Sequence, residues 1–332
     1  MNWKELSELK QRLDTHRPLD PALVRNLENW FRIELTYTSN ALEGNTLTRQ
    51  ETAVVVEKGL TVGGKSLHEH LEANNHAAAY DKVVSLARSR SPLYSIQTIL
   101  LIHEFILKGI DDANAGIFRS IPVRISGSDV VLPNPHKVPS LMDEFASWLK
   151  ASRNLHPVEL AAEAHFRLVT IHPFVVGNGR TARLIMNFIL IRKGYPPAII
   201  RKRDRLRYLR ALEQAQLGGS KEPFHRLIFQ AVRRSLDIYL NAVTSPLEED
   251  IADASTGPLL RIGALAKKTG ETTATLRHWT KEGLLRVAST TPAGYQLFSS
   301  EMVDRAKTIR DLQQSRRLTL AEIRDHLAIN TN

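Results

Sequence analysis

The sequence predicts an all-α protein that carries one short β-hairpin and ends in a small winged helix-turn-helix domain. Three observations lead there. Apolar residues recur at the 3.6-residue helical period through most of the first 244 positions. One stretch, IPVRISGSDVVLP at Ile121–Pro133, alternates at Val123 and Ile125, turns at SGSD and resumes with VVL, as a hairpin would. The last 74 residues read as helix, turn and helix, followed by a glycine-tyrosine wing. A chain of 332 residues suits two domains and has ample material for a core.

The elements follow in order. Leu23, Leu27, Trp30, Phe31, Glu34 and Leu35 stripe a first strong helix. TRQE at Thr48–Glu51 reads as a capping box, and Gly59 suits the end of the helix it opens. The hairpin is too small to stand alone and must lean on helices. Leu160, Ala164, Leu168 and Ile171 stripe a helix that stops before His172. Leu184, Phe188 and Ile191 stripe the next, which ends near Gly194 with Pro196 and Pro197 beyond. FHRLIFQAVRRSLDIYLNAV continues in the same style. Ser245–Pro258 is acidic, proline-bounded and poor in large apolar groups, a linker between a domain over 1–244 and one over 259–332. No internal repeat is evident.

Composition narrows the function. The chain has no cysteine, which excludes disulfides and thiolate metal sites. No run approaches the ~18 apolar residues of a membrane span, and MNWKELSELK is charged where a signal stretch would be apolar. The expectation is a soluble, cytoplasmic protein with no membrane partner. The formal charge is +10. Half of that excess falls in the last 74 residues, which fits an anionic partner for the tail.

The densest chemistry lies at His172–Asn187, HPFVVGNGRTARLIMN. Gly177 and Gly179 let the backbone take positive φ and let a ligand approach the amides. A helix starts there, so its free N–H groups and its dipole face the same spot, an arrangement that binds phosphate. Arg180 and Arg183 lie one turn apart and can clamp anionic oxygens. Asn178 can orient either phosphate or backbone. His172 can serve as a general base near neutral pH.

His172-Pro173-Phe174-x-x-Gly177-Asn178-Gly179-Arg180-x-x-Arg183 resembles the Fic family motif. The resemblance covers most of residues 30–245 and implies a helical core with a hairpin flap. It also implies transfer of AMP from ATP, as substrate, to a hydroxyl of a target protein. Carried over, His172 deprotonates that hydroxyl. Gly177, Asn178, Gly179 and Arg180 hold the phosphates, and Arg183 holds the γ-phosphate end. Ile125, Ser126, Gly127 and Ser128 of the hairpin align the target segment by strand pairing. Tyr208 matches by position a nucleotide-pocket residue, and a core tyrosine is the equal alternative. SNALEGN at Ser39–Asn45 resembles the family's inhibitory motif, with Ser39 and Glu43 in the motif positions. There the glutamate pairs with the second arginine, here Arg183, and competes with the γ-phosphate.

One position departs from the family. The residue before Gly177 is usually an acid that helps hold Mg²⁺, and here it is Val176, which has no lone pair to offer a hard cation. The expectation is no protein metal ligand, a weakened role for Mg²⁺, and slow or absent transfer. The alternative function is then a catalytically poor, nucleotide-binding transcriptional regulator.

The tail places a first helix at about Gly263–Thr269, a turn at Gly270 and a second helix from near Thr273 to Gly283. Thr272, Thr273, Thr275 and Arg277 lie where bases or phosphates would be met. SRRLTLAEIRDHL gives a closing helix. Arg261-Ile262-Gly263, Leu265-Ala266, Thr269-Gly270, Thr275-Leu276-Arg277, Gly283-Leu284-Leu285, Gly294-Tyr295 and Phe298 resemble the MerR-type winged helix. That resemblance implies DNA-backbone contacts by Arg277, His278 and Tyr295, with Trp279 in the small core. Gln296 stands where the family's wing has arginine. The family's long dimerising helix has no counterpart, so two-fold DNA reading would need a homodimer through the first domain.

Overall fold

The computed structural model describes residues 2–89, 95–152, 154–244, 259–290, 296–315 and 318–329. The chain divides into two compact units, Met1–Pro246 and Leu247–Asn332. The expected linker at 245–258 lies outside the described residues.

The first unit is helical: α1 (Trp3–Asp14), α2 (Pro21–Leu42), α3 (Arg49–Lys58), α4 (Leu67–Arg88), α5 (Ile96–Leu107), α6 (Val138–Ala151), α7 (Pro157–Ile171), α8 (Asn178–Arg192), α9 (Arg205–Gln216) and α10 (Glu222–Thr244). Local chemistry sets their starts. Asp20 accepts the amides of Ala22 and Leu23 while Pro21 takes the first helical position of α2. Thr48 with Glu51, and Ser66 with Glu69, form reciprocal capping boxes on α3 and α4. Gly59 closes α3 in the left-handed region, at φ +63°.

At the centre, α8 packs on α7, α4 and α5 and is buried nearly all round. Leu184, Ile185, Phe188 and Ile189 fill the core, yet Arg180, Arg183 and Asn187 are buried on the same helix. Cations at that depth need partners, so the central helix is also where function must be sought.

The hairpin expected at Ile121–Pro133 is a turn without a strand ladder. The Ser128 N–H donates to the Ile125 carbonyl at 3.2 Å, and no strand forms on either arm. Two causes are visible. Pro122 and Pro133 bring no N–H to a ladder. The carbonyls at the base of the loop are already taken: Arg119 donates to those of Ile121 (3.2 Å) and Pro133 (2.7 Å). A guanidinium replaces the first rungs.

The second unit holds β1 (Leu260–Arg261), α11 (Ile262–Thr269), α12 (Thr273–Lys281), β2 (Ser289–Thr290), β3 (Gln296–Phe298), α13 (Glu301–Ser315) and α14 (Leu320–Ile329). The three strands form an antiparallel sheet in the order β1-β3-β2, with Leu260 opposite Phe298 and Thr290 opposite Gln296. Leu265, Leu276, Trp279, Phe298, Ile309 and Ile323 make its core. Helix α13 was not anticipated, although Met302, Ala306, Ile309 and Leu312, all buried, have helical spacing. Among the described residues, no helix is long and apolar enough to cross a membrane.

Candidate active site

The site forms where α7 ends and α8 begins. Helix α7 runs out at Ile171, and His172 caps it at φ +51°, ψ +59°. His172 is the one residue other than glycine with positive φ among the described residues. An L side chain pays roughly 1 kcal/mol or more for this conformation. Several contacts hold it there. The His172 N–H donates to Leu168 O at 2.9 Å, Arg119 Nε donates to His172 O at 2.7 Å, and the Arg119 N–H donates to Pro173 O at 2.9 Å. Arg119 is 3 % exposed and makes no ion pair among the described residues; it spends its guanidinium on three carbonyls.

Burial, opposed by the nearby Val169 carbonyl, pushes the His172 imidazole below its ordinary 6.5. At neutral pH the ring is uncharged. Its Nδ1 lies 3.3 Å from Val169 O, so the proton belongs on Nδ1 and Nε2 is left as the acceptor. That is the state a general base requires.

The loop from Pro173 to Gly177 is held from behind. Asn178 closes a reciprocal pair with Phe174, accepting its amide at 3.0 Å and donating to its carbonyl at 2.9 Å. Of the two roles open to Asn178, the backbone role is the one observed. His103 stacks on Phe174 with ring centroids 3.6 Å apart. It accepts the Gly116 amide at Nδ1 (3.0 Å), which leaves Nε2 to donate to Val176 O at 2.9 Å. Val176 thus turns its carbonyl inward and its side chain, 41 % exposed, outward. A Cβ on Gly177, which sits at φ +82°, would come within 3.2 Å of His103. Gly177 opens α8 with no side-chain cap, so the first-turn amides face the loop with the positive end of the helix dipole behind them.

Arg183 is the electrostatic centre. Its Nε donates to Ser39 Oγ (3.0 Å), and its Nη2 donates to Ser39 O (3.0 Å) and to Glu43 Oε1 (2.7 Å). Glu43 follows the last residue of α2, which carries both motif residues across to α8. Burial would raise the Glu43 carboxyl, but the Arg183 charge outweighs it and holds the group below the usual carboxylate range. A Cβ on Gly179 would meet Glu43 Oε1 at 2.4 Å. Only glycine admits the carboxylate so close over the first turn of α8.

Arg180 is buried, with Nη1 on Glu72 at 2.8 Å. Of the two alternatives for Tyr208, a nucleotide pocket or the core, the ring lies in the core, 2 % exposed. Its hydroxyl lies 2.9 Å from His165 and accepts from Arg183 at 3.5 Å. It backs Arg183. Ile125, Ser126, Gly127 and Ser128 form the exposed-to-half-buried turn whose base Arg119 ties to His172. Sequence reasoning missed Arg119, His103 and Glu72. Each lies far from the motif in sequence and acts on backbone or on one buried arginine, so no local pattern marks it.

In the second unit, Thr272 caps α12, accepting the Thr275 amide at 3.1 Å, and the two hydroxyls are 2.8 Å apart. Arg277 and His278 are exposed on α12 and Thr273 is half-buried, while Tyr295 lies outside the described residues. Arg310 of α13 pairs with Glu271 and lies over the Trp279 ring at 5.3 Å, which ties the turn between α11 and α12 to α13.

Residues 93–190 match the Fic/DOC family, and residues 260–328 match the MerR HTH family regulatory protein. A protein adenylyltransferase Fic from Nematostella vectensis is 43 % identical over 210 residues, 63 % of this chain and 48 % of the relative. One from Culex quinquefasciatus is 37 % identical over 251 residues, 75 % of this chain and 49 % of the relative. The chain spans about half the length of these relatives. Among solved structures, a Fic-1 fragment from C. elegans is 32 % identical, with a TM-score of 0.66 over 72 % of each chain. A Fic domain containing signaling protein from Bacteroides thetaiotaomicron gives a TM-score of 0.66 at 28 % identity, over 72 % of this chain and 97 % of that one. The chain belongs to the Fic/DOC family, and it carries a MerR-type helix-turn-helix match in its second unit.

Proposed function

We propose that the first unit is an ATP-dependent protein adenylyltransferase held shut by its own Glu43, and that the second unit binds DNA. The observation that carries the reading is the clamp on Arg183: a carboxylate and a serine occupy a buried guanidinium directly over the first turn of α8. Those amides and that cation form a seat for a triphosphate. With Glu43 in place, the terminal phosphate has lost its cation. With Glu43 withdrawn, ATP settles with its α-phosphorus toward His172.

The chemistry then balances simply. His172 Nε2 takes the proton of a target-protein hydroxyl, whose oxygen forms a bond to the α-phosphorus. The bond from that phosphorus to the bridging oxygen breaks, and pyrophosphate leaves. Helix amides and Arg183 stabilise the charge that gathers on the leaving group. The residues at the mouth of the loop do not fit Mg²⁺. Val176 offers no oxygen from its outward side chain, and the Glu43 carboxylate is committed to Arg183. Labelled ATP should mark a protein target in Glu43→Gly at least about tenfold more than in the unaltered chain. Absence of label in that variant, with and without Val176→Asp, would sink the transferase reading.

Val176 favours a second reading, in which the seat senses nucleotide with little turnover and tunes DNA binding. DNA affinity would then change on adding ATP or ADP, with reciprocal coupling; indifference to both nucleotides argues against it. We propose, with either reading, a cytoplasmic protein that has DNA as a partner and forms a homodimer through the first unit.

A further inference from the structure

A second cation-lined cavity lies on the far side of α2 from the Arg183 clamp. Its volume is about 380 Å³, within the usual range for small-molecule sites. Its walls are α2, the start of α3, the segment Ile199–Arg203 and α10. Five cationic side chains line it (Arg49, Arg201, Lys202, Arg203 and Arg234) against one carboxylate, Glu34. Arg49 is paired with Glu34, and Arg201 with Asp204 at 2.8 Å. Lys202, Arg203 and Arg234 make no ion pair among the described residues. Arg234 donates one long bond, 3.4 Å, to Ile199 O. Burial first and then the charge of Arg201, opposed by Asp204, push the Arg234 guanidinium down to about 10. Like charges gathered round a concavity are costly unless an anion joins them.

Two aromatic rings complete the cavity. Trp30 meets Phe31 edge-on and remains 42 % exposed, although the spacing of α2 would place it on the buried stripe. Tyr37 lies under Arg49, 5.7 Å from its ring centre. A flat face of indole beside several cations suits a planar base that carries phosphate.

We propose that this cavity binds a nucleoside diphosphate, with the phosphates on Lys202, Arg203 and Arg234 and the base on Trp30. The site is separate from the Arg183 seat and borders the inhibitory helix. Arg205, two residues beyond Arg203, donates to Leu42 O at 2.8 Å, at the very end of α2 beside Glu43. The binding claim does not depend on the transferase reading, because none of the five cations belongs to the seat.

The test is calorimetric titration of ADP into the full chain carrying Arg183→Gln, which removes the cation of the seat. One equivalent should still bind, and adding Lys202→Ala and Arg203→Ala, both on exposed residues, should weaken it at least tenfold. Should Arg183→Gln not fold, the double substitution in the otherwise unaltered chain must remove one class of ADP site. Inorganic pyrophosphate should bind more weakly than ADP, and Trp30→Ala should erase that difference. No ADP bound in the Arg183→Gln chain, or binding unaffected by the double substitution, overturns the site. Pyrophosphate binding as tightly as ADP overturns the part assigned to the base. Duplex DNA lost on Lys202→Ala/Arg203→Ala, with no ADP bound before, reassigns the face to nucleic acid.

Discussion

A guanidinium as deeply placed as that of Arg183 keeps its charge because Glu43 and Ser39 share it. Burial works against that charge, and the Glu43 carboxylate restores it. Removing Glu43 leaves a buried cation without its carboxylate, which is the condition under which a phosphate is most strongly drawn in. Arg119 is the other decisive residue, for the opposite reason. It has no carboxylate and serves carbonyls alone, so it fixes His172 in a conformation that an L side chain rarely adopts. Lysine at 119 would keep the charge but could not span the carbonyls of His172, Ile121 and Pro133. Arg119→Lys should cost roughly 2 kcal/mol of stability in denaturant unfolding. In the Glu43→Gly background it should lower kcat with little change in KM for ATP, since the seat is untouched. An unchanged kcat would show that the histidine holds its own position.

At the scale of elements, the helices were readable where capping and periodicity agree. The box at Thr48–Glu51, the stop at Gly59 and the end of α7 before His172 all rest on contacts within a few residues. The segment Ile121–Pro133 was misread as a paired hairpin because alternation reports only which side chains face together. It does not report where the backbone hydrogen bonds go, and here Arg119 takes them. The candidate site divides in the same way. His172, Gly177, Gly179, Arg183, Ser39 and Glu43 were legible as motifs. The pairing of Arg180 with Glu72 and the burial of Tyr208 were not, because both follow from packing across helices distant in sequence. On the proposed DNA-binding reading, the exposed Arg277 on α12 is the residue to test as a phosphate contact. Arg277→Ala should weaken DNA binding evenly across sequences and reduce the slope of log K on log salt by about one. A change in sequence preference with an unaltered slope would move Arg277 from the backbone to a base.

At the scale of the whole molecule, three of the histidines that the first unit buries are held furthest below their ordinary value. Burial pushes His76 and His165 down to about 3 and His103 to about 4. The unfolded chain binds these protons near 6.5, so between about 6.5 and 4 these three rings alone let it hold up to three more than the folded chain. Stability must therefore fall as pH falls through that window, by up to about 4 kcal/mol per pH unit. Glu43, Glu69 and Glu163 add in the same direction at lower pH, since each carboxyl is held below its ordinary value and loses its partner on protonation. Thermal unfolding of the full chain at pH 7 and pH 5 checks this. A first-unit transition that stays level, or rises, at pH 5 would mean that these rings are charged or solvated.

The central claim concerns competition: Glu43 denies Arg183 to the terminal phosphate of ATP and to little else. Titrating ATP and ADP into the unaltered chain and into Glu43→Gly measures it directly. The substitution should tighten ATP markedly more than ADP, because only ATP brings a γ-phosphate to the freed guanidinium. Equal tightening of both, or none for ATP, would mean that Arg183 is not where the triphosphate ends.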